Sequence, residues 1–210
     1  MSRRHFGGLS RPVVLLLAAL TLLLAACNNS QDAAVYGGSF TFVSPGGKTV
    51  FSYPADQRGT LGNFSGPKIG CAADYKGSQC TTGTLSVSDY PDTVVVINFW
   101  GSWCGPCRSE ADGFNLAATQ LAADHVQFIG VDLKDSSWDA ADFAAAKQTP
   151  YPSIFDPTQR TILSLKGFPA STIPSTIVLD RQHRVAAILL GEVTSKQLTD
   201  AIAPIAAEAA

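Results

Sequence analysis

Residues 93–100, Thr-Val-Val-Val-Ile-Asn-Phe-Trp, form an almost unbroken apolar run. A strand with water on one face alternates apolar and polar residues. A run of this kind therefore belongs to a strand covered on both faces. Trp103-Cys104-Gly105-Pro106-Cys107 follows it. From Pro106 to about Ala123 the pattern is helical, with Phe114, Ala118, Leu121 and Ala122 able to share a face. Val126-Gln127-Phe128-Ile129-Gly130-Val131 reads as a second buried strand. Strand, helix, strand predicts a parallel pair with a right-handed crossover, and so an α/β domain.

The flanking segments extend this core. Trp138 to Lys147 reads as a helix that stops before Thr149-Pro150-Tyr151-Pro152. Ser153-Ile154-Phe155 is a short strand, and Arg160 to Lys166 a short helix. Residues 175–179 and 185–189 flank Asp180-Arg181-Gln182-His183 as an antiparallel pair. Thr194 is a candidate N-cap for a closing helix to about Ala206, with Pro204 a local fault. Upstream, residues 39–43 and 49–53 alternate around Ser44-Pro45-Gly46-Gly47 and predict a hairpin. Residues 54–83, rich in Gly, Ser and Pro, predict a long loop carrying Cys71 and Cys80. Residues 38–210 are thus expected to form one domain, with 27–37 a short tether.

The first 26 residues read as an export signal. Ser2-Arg3-Arg4-His5-Phe6 is a positive start, and Val13 to Ala26 carries no charge. That length suits a signal peptide and is short for a membrane span, which takes about 20 residues. Leu24-Ala25-Ala26-Cys27 resembles a bacterial lipobox, which would lipidate Cys27; a plain Ala-x-Ala cleavage is the other reading. The twin arginines leave the export route open. Lipidating one of five cysteines leaves an even number that can pair. Without the arginines of the leader, 12 Lys+Arg face 17 Asp+Glu. A mildly acidic, unclustered balance excludes a nucleic-acid binder, and 46% apolar residues exclude a disordered chain.

Cys104 and Cys107 are the residues with chemistry. At a strand-to-helix junction, Cys104 lies at the positive end of the helix, which favours a thiolate and makes it a nucleophile. Cys107, one turn in and more buried, is placed to resolve a mixed disulfide. Pro106 fits a first turn, where its missing N–H would have had no partner. Half a zinc site is another reading, but structural zinc takes about four Cys/His ligands, and His125 and His183 are isolated. No His follows Cys107, so haem attachment is not signalled. An inert disulfide is the remaining alternative. No metal or cofactor is expected.

Asn98-Phe99-Trp100-Gly101-Ser102-Trp103-Cys104-Gly105-Pro106-Cys107-Arg108-Ser109-Glu110 resembles the active-site stretch of thioredoxin-fold proteins. It is most similar to the membrane-tethered TlpA/ResA branch of extracytoplasmic thiol–disulfide proteins. The resemblance covers roughly residues 85–206, with Ile173-Pro174-Ser175-Thr176 as its second anchor. It implies a thioredoxin fold with an N-terminal β-hairpin extension and a central βα insertion between Lys134 and Thr172. It implies that Pro174 is cis and presents the Ile173 backbone to an extended substrate segment; an ordinary strand-entry proline is the other reading. Thioredoxin has an aspartate at Asn98, which cannot titrate. The branch often has a glutamate at Glu110, which shares a helix face with Cys107 and can pass protons; a solvated helix-start acid is the alternative. The motif sets Trp103 beside Cys104, while Trp100 and Phe168 suit either a groove or the core. Cys71 and Cys80 depart from the branch and read as a structural disulfide or as a second redox pair.

The resemblance implies an exported thiol–disulfide oxidoreductase, lipid-anchored at the outer face of a bacterial cell membrane. Its partners would be protein disulfides, apocytochrome c among them, and a membrane thiol–disulfide electron donor. The expected role is that of a reductant in cytochrome c maturation. The alternatives are a disulfide oxidase for newly exported proteins and a non-catalytic module that binds apoprotein or haem.

Overall fold

The structure, a computed structural model, describes residues 33–36, 39–43, 46–71 and 79–208. The apolar run becomes β6 (Val94–Trp100), buried along its whole length. On one side it pairs in parallel with β7 (Val126–Leu133), from Val94 opposite Val126 to Trp100 opposite Asp132. On the other side it pairs antiparallel with β9 (Ser175–Leu179). Adding β3 (Val50–Ser52), β4 (Ser65–Ile69), β5 (Thr81–Ser86), β8 (Ser153–Asp156) and β10 (Val185–Leu190) gives an eight-stranded sheet ordered β3-β10-β9-β6-β7-β8-β4-β5.

The two faces of β6 build two cores. Val94 and Val96 meet Phe114, Ala117 and Leu121 of α1 (Gly105–Leu121), together with Leu198, Ile202 and Ile205 of α4 (Ser195–Ala206). Thr194 caps α4 as expected: its Oγ1 accepts from Gln197 N, and Gln197 Oε1 accepts from Thr194 N. Val95, Ile97 and Phe99 face the opposite core, where Phe40, Phe42, Phe64 and Phe168 lie. The insertion between β7 and β9 consists of α2 (Ser137–Ala146), β8 and the short α3 (Arg160–Leu163), which ends sooner than the expected Lys166.

The N-terminal extension is built differently from the expected hairpin. Its strands form at nearly the expected positions but do not pair with each other. β2 (Ser39–Phe42) pairs with β1 (Ala33–Tyr36), whose residues lie within the expected tether, while β3 adds to β10. The side chains explain the arrangement. Phe42 meets Phe51 edge to face at 5.0 Å, and Phe40 meets Tyr53 at 5.3 Å, so both strands fill one core. Their backbones then bond to separate partners, with Phe42 N donating to Lys166 O and Phe40 N to Thr60 O. The expected loop at 54–83 also contains structure. β4 and β5 pair antiparallel and cover the open edge of β8 through Lys68 opposite Ile154. The leader at 1–26, Cys27 and the first part of the tether lie outside the described residues. Among the described residues no helix is long and apolar enough to cross a membrane.

Candidate active site

β6 ends at Trp100, and α1 begins at Gly105. Cys104 is the N-cap of α1, and its Sγ accepts from Cys107 N at 3.3 Å. Cys104 and Cys107 are joined as a disulfide with their Cα atoms 5.2 Å apart. Pro106 sits in the first turn, where backbone N–H groups have no helical partner. When the bond opens, the positive end of α1 favours the Cys104 thiolate. The expected difference in burial between the two cysteines is absent: Cys104 is 4% exposed and Cys107 3%. Trp100 and Ala140 enclose the pair, with Ile69, Phe143 and Ile173 against them. These residues come from segments far apart in the chain, which is why the spacing of the cysteines alone does not disclose the burial.

The Ile173–Pro174 bond is cis, and Ile173 O lies 3.8 Å from Cys104 Sγ. Pro174 is buried and accepts at its carbonyl from Gly191 N at 2.9 Å. Trp103 is 53% exposed, and its indole N–H donates to Leu133 O at 2.9 Å. Gly101 makes room for that bond, since a Cβ there would lie 2.5 Å from Trp103 Nε1 and 3.1 Å from Leu133 O. Arg108 donates to Ser102 O at 3.2 Å and lies over the Phe143 ring, which in turn leans on Trp100. Trp100 and Phe168 are buried core residues, so of the three aromatics only Trp103 stands at the surface.

Glu110 is buried, not solvated. Its Oε1 accepts from Asn98 Nδ2 at 3.1 Å and its Oε2 from Val193 N at 3.0 Å. Burial pushes its carboxyl up to about 7, against the downward pull of these two hydrogen bonds, and the charge of Glu192 adds to the rise. Glu110 and Cys107 line one small cavity together with Asn98, Trp100 and Tyr151. Burial, and then the charge of Glu110, push the Tyr151 phenol up as well, so it stays neutral.

Sequence reasoning missed Asp132. It lies on β7 opposite Trp100 and is fully buried. Burial, followed by the charge of Asp135, a hydrogen bond with the Asp135 side chain and the charge of Asp156, pushes it up to about 9. The signal was present as a lone acid near the end of a mostly apolar strand. Cys71 and Cys80, at the ends of β4 and β5, are bonded to each other. Among the described residues no group of three His, Cys, Asp or Glu is arranged to hold a metal ion.

A cysteine pair capping the helix after a central strand, faced by a proline loop, defines a thioredoxin-fold redox protein. The chain belongs to the AhpC/TSA family, which matches residues 69–188. It is 32% identical over 115 residues to the thiol:disulfide interchange protein HelX of Rhodobacter capsulatus, covering 54% of this chain and 61% of that protein. It is 24% identical over 116 residues to the thiol-disulfide oxidoreductase ResA of Bacillus subtilis, covering 55% and 63%. The chain thus spans less than two thirds of the length of these relatives. Among solved structures, a DsbF homologue from Corynebacterium diphtheriae is 40% identical with a TM-score of 0.71, over 80% of this chain and 99% of that one. A secreted thiol-disulfide isomerase from Corynebacterium glutamicum is 40% identical with a TM-score of 0.73, over 82% and 100%.

Proposed function

We propose that the chain is an exported thiol–disulfide oxidoreductase, held at the outer face of a bacterial membrane by lipid on Cys27, that acts on protein substrates through Cys104 and Cys107. The observation that carries this reading is the Cys104 sulfur at the head of α1, bonded to Cys107 and 3.8 Å from Ile173 O. In the reducing direction the Cys104 thiolate attacks one sulfur of a substrate disulfide, and the other substrate sulfur leaves with the electron pair. Cys107 then loses its proton and attacks Cys104 Sγ. The second substrate sulfur leaves, and the Cys104–Cys107 disulfide remains. Glu110, in the cavity that Cys107 also lines, is the group placed to take the Cys107 proton. Ile173 would offer its backbone to an extended substrate segment beside Cys104, and Trp103 would border that segment.

The TlpA/ResA resemblance directs this chemistry to the thiols of apocytochrome c, with a membrane thiol–disulfide protein as electron donor. The likeness to a DsbF homologue and to a secreted isomerase favours a second reading, in which the same pair forms or rearranges disulfides in exported proteins. A potential measurement paired with insulin reduction separates them. A value near −270 mV with active insulin reduction marks a reductant, and one near −120 mV an oxidase, by comparison with proteins of known direction. A Cys107→Ala variant should hold substrates as mixed disulfides on Cys104. Recovery of no adduct that depends on Cys104 would reject exchange as the mechanism.

A further inference from the structure

The residues of the Cys71–Cys80 disulfide stand in opposite surroundings. Cys80 is fully buried, while Cys71 is exposed. Cys104 and Cys107 are both buried, so among these four cysteines Cys71 is the one a dissolved thiol reaches first. Disulfide exchange proceeds by attack of a thiolate on one sulfur while the other leaves as a thiolate. Access therefore selects Cys71 as the sulfur attacked and Cys80 as the leaving group.

Cys80 is anchored through its backbone. Its backbone N–H donates to Ser137 Oγ at 2.7 Å, and Ser137 is the first residue of α2. The Cys80 backbone is thus held against the N-terminal turn of a ten-residue helix, while the burial of Cys80 works against a departing thiolate. Cys71 borders a groove of about 480 Å³, lined by Ile69 and Gly70, by Ala141, Asp142 and Ala144 of α2, and by Gln148 just beyond it. A volume of that order accommodates a ligand the size of a small peptide.

We propose that Cys71–Cys80 is a second thiol–disulfide exchange site, one that takes low-molecular-weight monothiols at Cys71 and releases Cys80. The first monothiolate forms a bond to Cys71 Sγ. The Cys71–Cys80 bond breaks, and Cys80 Sγ leaves with the electron pair and takes up the proton that the monothiol gave up. A second monothiolate attacks the sulfur of the bound monothiol, forming the small-molecule disulfide and freeing Cys71. Two monothiols are oxidised, and the pair gains two electrons. The exchange is separate from that at Cys104.

The test uses the oxidised full-length protein in glutathione buffers of graded reduced-to-oxidised ratio. Samples are quenched by acid and alkylation and mapped by peptide mass spectrometry, with circular dichroism in parallel. The expected result is a reversible gain of one glutathione on the Cys71 peptide, with Cys80 alkylated, at ratios that leave the dichroism unchanged. An adduct on Cys80 instead, or a pair that stays closed until the fold is lost, overturns the proposal. The Cys104 and Cys107 peptides in the same digest report on the active pair independently, so failure at one site is distinguished from failure at the other.

Discussion

Asn98 and Glu110, from β6 and α1, meet in a buried hydrogen bond of 3.1 Å beside Cys107. The acid sits where its ionisation is costly, and this gives it a proton affinity suited to work near neutrality. Glu110→Gln keeps the shape and removes the titration. If Glu110 accepts the Cys107 proton, the variant should release mixed disulfides at least about tenfold more slowly at pH 7. Its pH–rate profile should also lose the inflection near 7. Stopped-flow release from a Cys104-linked peptide checks this, and an unchanged profile would return Glu110 to a purely structural role.

The same carboxyl makes stability depend on pH. Its folded value, about 7, lies above the ordinary 4.5. Between those values the folded chain holds a proton that the unfolded chain has released. Glu110 therefore contributes stability that is complete below about pH 4.5 and lost as pH rises through about 7, on the order of 3 kcal/mol in all. Urea midpoints of the Glu110→Gln variant should fall less over that interval than those of the native chain.

The central strand and its chemistry were legible because local pattern decides them. Val94 to Trp100 is buried on both faces and reads so, Cys104 falls at the strand-to-helix junction, and Thr194 announces its helix. The spacing of Glu110 after Cys107 likewise put both on one helix face. What escaped depends on partners distant in sequence. β4 reads Ser-Gly-Pro-Lys-Ile and has no alternation of its own; it is a strand because β8 leaves an edge and β5 pairs with it. β1 is four residues long, and its only local signal is Gly37-Gly38, a pair suited to a two-residue hairpin connection. The burial of Cys104 requires Ile69, Phe143 and Ile173 to converge, which no window of sequence contains.

Gly101 is a position where a methyl group reaches the site. Gly101→Ala would press on both the Trp103 indole and the Leu133 carbonyl, breaking the bond between them. The expected cost is about 2 kcal/mol of stability, typical of overpacking. Trp103 should also become more mobile at the rim of Cys104. Denaturant midpoints and tryptophan fluorescence anisotropy read the two effects, and a variant with the native midpoint would show that the loop yields without strain.

At the far end of the sheet, Arg58 links the N-terminal extension to the domain. Its guanidinium contacts Asp180 at 3.2 Å and Glu208 at 2.6 Å, and its own side chain and that of Asp180 are 5% and 3% exposed. Burial by itself would raise the Asp180 carboxyl, but hydrogen bonds from Arg184 and Arg58 more than reverse this and hold it below its ordinary range. Arg58→Met should cost about 3 kcal/mol, because a buried carboxylate loses a partner. A depressed carboxylate contributes stability above its unfolded value and loses it as pH falls through the folded one. Weakening that depression should move acid unfolding to higher pH, which dichroism between pH 2 and 5 would follow.

Asp132 gives the opposite sign and the largest expected gain. It is fully enclosed and raised to about 9 by burial, by the charge of Asp135 and a hydrogen bond with its side chain, and by the charge of Asp156. Its folded value exceeds the ordinary 3.8, so its contribution to stability is complete below about pH 3.8 and declines as pH rises through about 9. At pH 7 the unfolded chain gains by releasing this proton while the folded chain keeps it. Asp132→Asn preserves shape and polarity and removes that penalty, so the variant should be more stable than the native chain by a few kcal/mol at about pH 8. The difference should narrow as the pH is lowered toward 5. Paired chemical denaturation at the two pH values decides it: equal midpoint shifts at both would mean that Asp132 ionises freely within the fold, with the enclosing residues giving way around it.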